Sequence, residues 1–164
     1  MDNTITKNAS VLTIFKLEAI DCIEDANTVP AVETMLIGFF DSIDSCNKVE
    51  EDYRKLPGFS LKSCKFVKTP YSFSPFAEFD VDHVFYVQWC KTCELTGEEE
   101  SFEIGLFLSQ KEAEAAIMRW LAENKLGPPQ GTDKDNPDIY IAEYRINQRH
   151  WQDGFIRYTW FPEE

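Results

Sequence analysis

The sequence predicts an α+β fold of two tandem ββαβ units, in which a mixed, largely antiparallel sheet carries two helices. The first observation is an internal similarity: residues 104–120 match residues 37–53, with four of the first six positions identical. The second is that apolar runs flank each copy in the same order, at 11–17, 65–68, 84–90 and 139–146. Because the same pattern recurs, we interpret the chain as an internal repeat.

In the first unit, residues 11–17 mix β-branched and aromatic side chains, which predicts a strand. The acid-rich residues 18–33 predict a long hairpin connection, and residues 34–40 predict the second strand. Ser42 is the expected N-cap of a helix, because apolar residues then recur at three- and four-residue spacing.

The first unit is expected to end with one more strand. Leu56-Pro57-Gly58 predicts the end of the helix, because proline cannot continue it and glycine accepts the left-handed cap. Residues 64–69 then predict the third strand. Residues 70–82, rich in serine, phenylalanine and proline, predict the connection between the units.

The second unit repeats this plan. Strands are predicted at 84–89 and 102–108, separated by an acidic loop at 91–100. Ser109 and Glu112 have the spacing of a capping box. The predicted buried stripe of the following helix consists of Ala113, Ala116, Ile117, Trp120 and Leu121.

After that helix, Gly127-Pro128-Pro129 is a stop signal, and residues 130–138 predict a loop. Residues 139–146 predict the third strand, and residues 154–161 predict a further edge strand. With 164 residues, the whole chain is long enough for one domain, built of pseudo-repeats at about 10–72 and 83–161.

Equivalent glycines, Gly38 and Gly105, fall in the middle of predicted strands. Glycine weakens a strand unless a β-bulge or a close approach requires it. We therefore expect a bulge or close packing at both positions, with the helix crossing near each glycine.

The chain is strongly acidic, with 16 Lys plus Arg against 29 Asp plus Glu and a formal net charge of −13. Such a charge repels nucleic acids and anionic membranes and attracts basic proteins. The alternative is that the charge serves solubility alone. The partner we expect is a basic protein, with no nucleic acid and no membrane.

The expected compartment is the cytoplasm. The first ten residues lack the pattern of a secretory signal, and no apolar run approaches the length of a membrane span. The five cysteines are an odd number and are scattered, which is typical of reduced thiols.

Residues 84–155 contain IGLFLSQKEAEAAI and later IAEYRINQRHWQDGF. This span, somewhat under half of the chain, resembles a family of small bacterial domains of uncharacterised function. The family's ending is matched by Tyr144, Ile146, His150, Trp151, Gly154 and Phe155. The resemblance implies the fold and supplies no activity. The first unit departs from the pattern, because Thr69-Pro70-Tyr71 stands where the His-Trp and Gly-Phe pairs would follow.

Few residues suggest chemistry. Cys90 and Cys93 have the spacing of half a zinc site or of a redox pair. No second pair completes four zinc ligands, and a redox pair would be expected at a helix N-terminus and not at the end of a strand, so we expect no metal and no redox role. No glycine-rich phosphate loop is present, and we expect no cofactor. His83 follows two aspartates and could act as a base, as could His150. The alternative for residues 150–155 is a turn whose aromatics pin the C-terminal strand to the core.

The acids concentrate in the first hairpin of each unit. Acids in loops are usually only solvated. Two hairpins related by a repeat, however, can form a paired acidic rim with aromatic residues, which suits the capture of a cationic surface. The predicted partner-binding residues are Asp21, Glu24, Asp25, Glu98, Glu99, Glu100, Glu103, His150 and Trp151.

Three hypotheses follow. The first is a non-enzymatic immunity or inhibitor protein that neutralises a basic toxin domain, such as a nuclease, similar in general character to bacterial toxin-immunity proteins. The second is a small enzyme that uses His150 or His83 with nearby carboxylates. The third is a homodimeric binding module, so that the oligomeric state is monomer or homodimer.

Overall fold

The fold is described from a computed structural model, which describes residues 10–23, 31–60, 64–76, 81–92, 99–125 and 138–152. Within these ranges the elements follow one another as β1 (Ser10–Ile23), β2 (Ala31–Phe40), α1 (Ile43–Tyr53), α2 (Pro57–Ser60), β3 (Lys65–Phe76), β4 (His83–Thr92), β5 (Glu99–Phe107), α3 (Gln110–Glu123) and β6 (Asp138–Arg145). No helix among the described residues is both long and apolar enough to cross a membrane.

The chain divides into two compact units. Unit 1 comprises Met1–Phe79 together with Asn147–Glu164, and unit 2 comprises Asp80–Ile146. Each unit has a three-stranded sheet whose first strand lies in the centre, in the orders β2-β1-β3 and β5-β4-β6. All four strand pairs that the structure describes are antiparallel. The predicted α+β fold of two similar ββαβ units is confirmed.

Each unit has its own apolar core between the sheet and the helix. In unit 1 the buried core residues are Leu17, Ala19, Ile37, Phe40, Cys46, Val49, Tyr53, Phe59 and Cys64. In unit 2 they are Val87, Ala113, Ile117 and Leu121. The predicted stripe of α3 is thus buried at Ala113, Ala116, Ile117 and Leu121, while Trp120 is half-buried and packs against the same core.

The serine caps are confirmed in both units. The side-chain oxygen of Ser42 accepts a hydrogen bond from the Ser45 N–H at 3.2 Å, and that of Ser109 accepts one from the Glu112 N–H at 3.3 Å. The predicted end of α1 is wrong, because α1 ends at Tyr53 and Pro57 begins α2. Proline suits the first helical position, where its missing N–H would have no intrahelical acceptor.

Several strands are longer than predicted. β1 continues to Ile23 and β3 to Phe76, through residues that were expected to form loops. Lys16 and Glu18 form an ion pair of 3.1 Å within β1, so the negative charge of Glu18 is balanced by a lysine of the same strand. β3 is an edge strand and therefore tolerates Pro70, which has no N–H to donate to a second neighbour.

In unit 2 the predicted acidic loop is too long, because residues 91–92 belong to β4 and residues 99–100 to β5. The predicted edge strand at 154–161 lies outside the described residues.

Both predicted bulges are present. The register shifts by one residue beside Gly38 in unit 1 and beside Gly105 in unit 2. Their φ angles are 154° and 158°, a region that side chains rarely adopt. Among the described residues, the atoms nearest to a Cβ at either site belong to Gln148, Phe40 and Phe107, and not to a helix. A Cβ atom on Gly38 would lie 2.4 Å from the Gln148 carbonyl oxygen, and one on Gly105 would meet the Phe107 ring at 3.0 Å.

Candidate partner-binding surfaces

Within the described residues, the predicted acidic residues of unit 1 do not form an acidic rim. Asp21 lies in β1, opposite Glu33 of β2, and is only 6% exposed. Its carboxylate therefore has little surface to offer a partner, in contrast to the exposed loop acid that the sequence suggested. Glu24 and Asp25 lie outside the described residues.

In unit 2 the predicted acids fall on β5. Glu99 and Glu100 belong to this strand and lie opposite Thr92 and Lys91 of β4. Glu103 is exposed, and its Oε2 accepts a hydrogen bond of 2.9 Å from the hydroxyl of the buried Tyr86. This bond orients the Glu103 carboxylate at the surface of the sheet. Glu98 lies outside the described residues.

An exposed aromatic side chain lies among these acids. Phe102 is 57% exposed, and its ring centroid is 5.1 Å from that of Trp89. Trp89 in turn lies 6.0 Å from Trp120 of α3, so Phe102 is the outermost member of an aromatic row. The term "β5 patch" is used below for Glu99, Glu100, Phe102 and Glu103.

Phe102 is not among the partner-binding residues predicted from the sequence. The available signal was the run Glu100-Ser101-Phe102-Glu103, in which a large aromatic residue stands between acids in a strand that lies at the edge of its sheet.

Residues 147–152, called the docked segment below, belong to unit 1 and lie along β2. The Asn147 N–H donates to the Phe39 carbonyl at 2.7 Å, and the His150 N–H donates to the Ile37 carbonyl at 2.8 Å. These bonds occupy the edge of β2 that does not pair with β1. The close approach of Gln148 explains why residue 38 is a glycine.

Side chains hold the same segment. The Asn147 side chain donates to Asp41 Oδ2 at 2.9 Å and accepts from the Asp41 N–H at 3.3 Å. Arg149 forms an ion pair of 3.0 Å with Asp52 of α1. The docked segment is therefore tied to the strand end and to the helix.

His150 and Trp151 have different environments. The His150 carbonyl accepts a hydrogen bond from the hydroxyl of Tyr53, a core residue that is 1% exposed. Trp151 is 62% exposed and has a φ of 55°. The expectation that the aromatics of residues 150–155 pin the C-terminal strand to the core is therefore wrong for Trp151, and Phe155 lies outside the described residues. Backbone groups of the docked segment attach it to β2. The exposed indole can instead contact a partner.

A charged network joins α1 to β3 in unit 1. Glu50 forms ion pairs with Lys68 and with Arg54, and Lys68 also donates to Asn47 Oδ1 at 2.8 Å. Desolvation alone would raise the pKa of Glu50, but the hydrogen bonds and charges of Lys68 and Arg54 outweigh it and lower that pKa below its ordinary 4.5. The ionised form of Glu50 therefore favours the folded state.

Replacing Glu50 by glutamine should reduce the stability of unit 1 in a pH-dependent way. The folded pKa is lower than the unfolded one, so the stabilisation is present above pH 4.5 and is lost as pH falls through the folded pKa. We expect Glu50→Gln to cost about 1 kcal/mol near neutral pH and progressively less below pH 4.5. Urea unfolding followed by the amide signals of unit 1 across this range measures the difference.

The matched control is Glu51→Gln, because Glu51 is exposed and makes no ion pair within the described ranges. A difference between wild type and Glu50→Gln that stays constant down to strongly acidic pH would contradict the prediction.

The Asp-His arrangement expected from the sequence exists at the start of β4. His83 Nδ1 lies 2.7 Å from Asp82 Oδ1, and this hydrogen bond lowers the pKa of the Asp82 carboxyl. The Asp82 side chain is 67% exposed. Its carbonyl also accepts from the Ile146 N–H at 2.8 Å, which ties the end of β6 to this site.

The cysteines show no metal site within the described part of the chain, where no group of three or more His, Cys, Asp or Glu side chains could hold an ion. Cys90 is half-buried in β4, and Cys93 lies outside the described residues. Burial raises the pKa of the Cys46 thiol to about 11, so this core cysteine stays protonated and unreactive at neutral pH.

Comparisons of the chain with protein-family models, with curated proteins and with solved structures gave no match.

Proposed function

We propose that this protein is an immunity or inhibitor protein, without enzymatic activity, that binds a basic toxin domain, such as a nuclease, and blocks it. The single observation that carries the proposal is the β5 patch, where an exposed phenylalanine and an exposed carboxylate occupy consecutive positions, on opposite faces of an edge strand. The net charge of −13 supports it, because the enzyme surface that receives a nucleic acid is basic.

The two kinds of side chain have complementary roles. The negative field attracts a cationic domain over a distance and speeds the encounter, while it repels anionic competitors. Aromatic residues supply the energy of the final contact, because they bury a large area with little loss of conformational freedom. Phe102, already ordered by its contact with Trp89, can provide such an anchor.

The proposal includes the cellular setting. A bacterial toxin that acts on nucleic acid inside the cell must be neutralised in the cytoplasm, and the scattered cysteines suit a reducing compartment. The common element order and common bulge of the two units support an origin by duplication. Duplication would have allowed the edges of β2 and β5 to acquire different roles.

The test is affinity capture from the native host with three baits: wild type, a Glu100→Lys/Glu103→Lys variant and a control variant. Wild type should retain a basic protein that elutes at moderate salt. The reversed variant should bind that protein at least about tenfold more weakly, because the β5 patch then repels it. The retained protein, expressed alone, should inhibit growth.

The matched control is Glu112→Lys/Glu114→Lys on α3, which reverses the same number of charges in the same unit, at two exposed side chains. It should retain the partner nearly as well as wild type. The proposal fails if wild type retains no basic protein, if the retained protein is harmless, or if both reversed variants lose it equally.

A small enzyme is the second candidate, and the short contact between His83 and Asp82 is the observation that favours it. An aspartate that orients a histidine is the arrangement of a general base. Under the inhibitor proposal, His83→Ala and His150→Ala should both still neutralise the retained toxin. Loss of neutralisation by folded His83→Ala, with partner binding intact, would favour the enzyme.

A further inference from the structure

β5 is an edge strand with backbone groups that point away from its sheet. The unit 1 residues whose carbonyls accept from the docked segment are Ile37 and Phe39, which correspond to Ile104 and Leu106 in unit 2. Within the described residues of unit 2, no N–H outside the sheet donates to these two carbonyls. Such an edge is able to accept another strand.

The same protein shows how an edge of this kind is filled. In unit 1, the docked segment lies along β2, donates two backbone hydrogen bonds and brings its Gln148 carbonyl against Gly38. β5 has the same bulge and an equivalent glycine with nearly the same φ. Among the described residues, the three nearest atoms to a Cβ on Gly105 all belong to the Phe107 ring, in the same way that the Phe40 ring lies beside Gly38.

We infer that the edge of β5 binds an extended cationic segment of the partner by strand addition. This inference rests on the proposed function and names the form in which the toxin domain is bound. Hydrogen bonds to the edge of β5 would supply affinity, and alternate side chains of the bound strand would supply specificity. Those on one face would meet Phe102, and those on the other would meet Glu103.

The charge of the β5 patch decides between possible occupants. Three of the five residues from 99 to 103 are glutamates. A second copy that paired through its own β5 would bring glutamates together, and like charges across a strand pair are destabilising. Lysine or arginine that alternates with apolar residues complements both Glu103 and Phe102. The occupant is therefore a basic segment of a different protein.

The experiment uses the full chain and a short capped peptide of alternating lysine and valine. Amide hydrogen exchange is measured by NMR with and without the peptide. Protection of the Leu106 amide should rise by about tenfold or more, because outside the bulge a residue whose carbonyl points outward also points its N–H group outward. The amides of Ile37 and Phe39 should not change, because the docked segment already occupies their edge.

Two comparisons separate strand addition from attraction by charge. The same peptide with N-methyl groups on alternate residues keeps every charge, but one of its edges cannot donate backbone hydrogen bonds. It should bind at least about tenfold more weakly. Phe102→Ala should weaken binding of the unmodified peptide by about tenfold. Met118→Ala on α3, at a side chain that is 58% exposed, should leave binding unchanged.

The inference is overturned if the unmodified peptide does not bind, if it protects amides outside β5, or if the N-methylated peptide binds equally well. Those outcomes leave the proposed function standing, since a toxin domain can still bind the β5 patch through a folded basic surface. Reversal of the charges of the β5 patch would still weaken that binding. Failure of the capture experiment, by contrast, would remove the proposed function itself.

Discussion

Gly38→Ala should destabilise unit 1 by about 2–4 kcal/mol, because the substitution combines backbone strain with a steric clash. The φ of 154° disfavours any side chain, and the new Cβ would lie 2.4 Å from the Gln148 carbonyl oxygen. A carbonyl held by neighbouring hydrogen bonds cannot move away without breaking them. Urea unfolding followed by the amide signals of unit 1 measures the loss.

Gly105→Ala is the matched control, because this glycine has the same bulge and nearly the same φ. Among the described residues, the nearest neighbour of its new Cβ is a phenylalanine ring, which can shift. The expected cost to unit 2 is about 1–3 kcal/mol, from backbone strain. In the Gly38 variant, the amides of the docked segment should also exchange faster. Equal costs in the two units, with the docked segment unaffected, would show that the approach of Gln148 does not determine the glycine.

Tyr53→Ala should destabilise unit 1 by about 3–5 kcal/mol, because it removes a fully buried ring and leaves a cavity. The Tyr53 ring packs edge-on against Phe59 with centroids 5.2 Å apart, and its hydroxyl donates to the His150 carbonyl. Burial raises the pKa of this hydroxyl, so it remains a donor at neutral pH. Thermal or urea unfolding gives the overall cost.

Tyr53→Phe separates the two contributions. It keeps the ring and removes only the hydrogen bond to the docked segment, for an expected cost of about 1–2 kcal/mol. Because that bond ends at His150, the amides of residues 147–152 should lose more protection than those of α1. Uniform loss of protection across unit 1 would mean that the hydroxyl contributes to general packing and not to the attachment of this segment.

The order of elements and the caps could be predicted because both depend on local residues. Ser42 and Ser109 each stand before a stretch of helical periodicity, and each caps the helix that follows. The recurrence of Gly38 and Gly105 likewise predicted the bulges, since a mid-strand glycine has few other structural reasons.

The approach of the Gln148 carbonyl, which requires a glycine at position 38, could not be predicted from the sequence. Asp41 and Asn147 are 106 residues apart, and nothing in either neighbourhood indicates that they hydrogen-bond. The lengths of β1 and β3 were missed for a related reason. Acids and a proline are usually found in loops, but an ion pair within β1 and the edge position of β3 allow them in strands.

The candidate site was only partly accessible from the sequence. Composition identified an acidic protein, and the run at residues 98–103 identified where acids concentrate in the second unit. Which acids are exposed depends on strand register and burial, which place Glu103 at the surface and bury Asp21. The neighbouring Phe102 becomes a candidate only once β5 is known to be an edge strand.

The most direct test of the proposed function is growth of cells that express the retained basic protein together with this protein. Wild type should restore growth, and the control Glu112→Lys/Glu114→Lys should do so nearly as well. Glu100→Lys/Glu103→Lys, folded and expressed at the same level, should fail to restore growth. If all three restore growth equally, or if wild type does not restore it, the β5 patch is not the surface through which this protein acts.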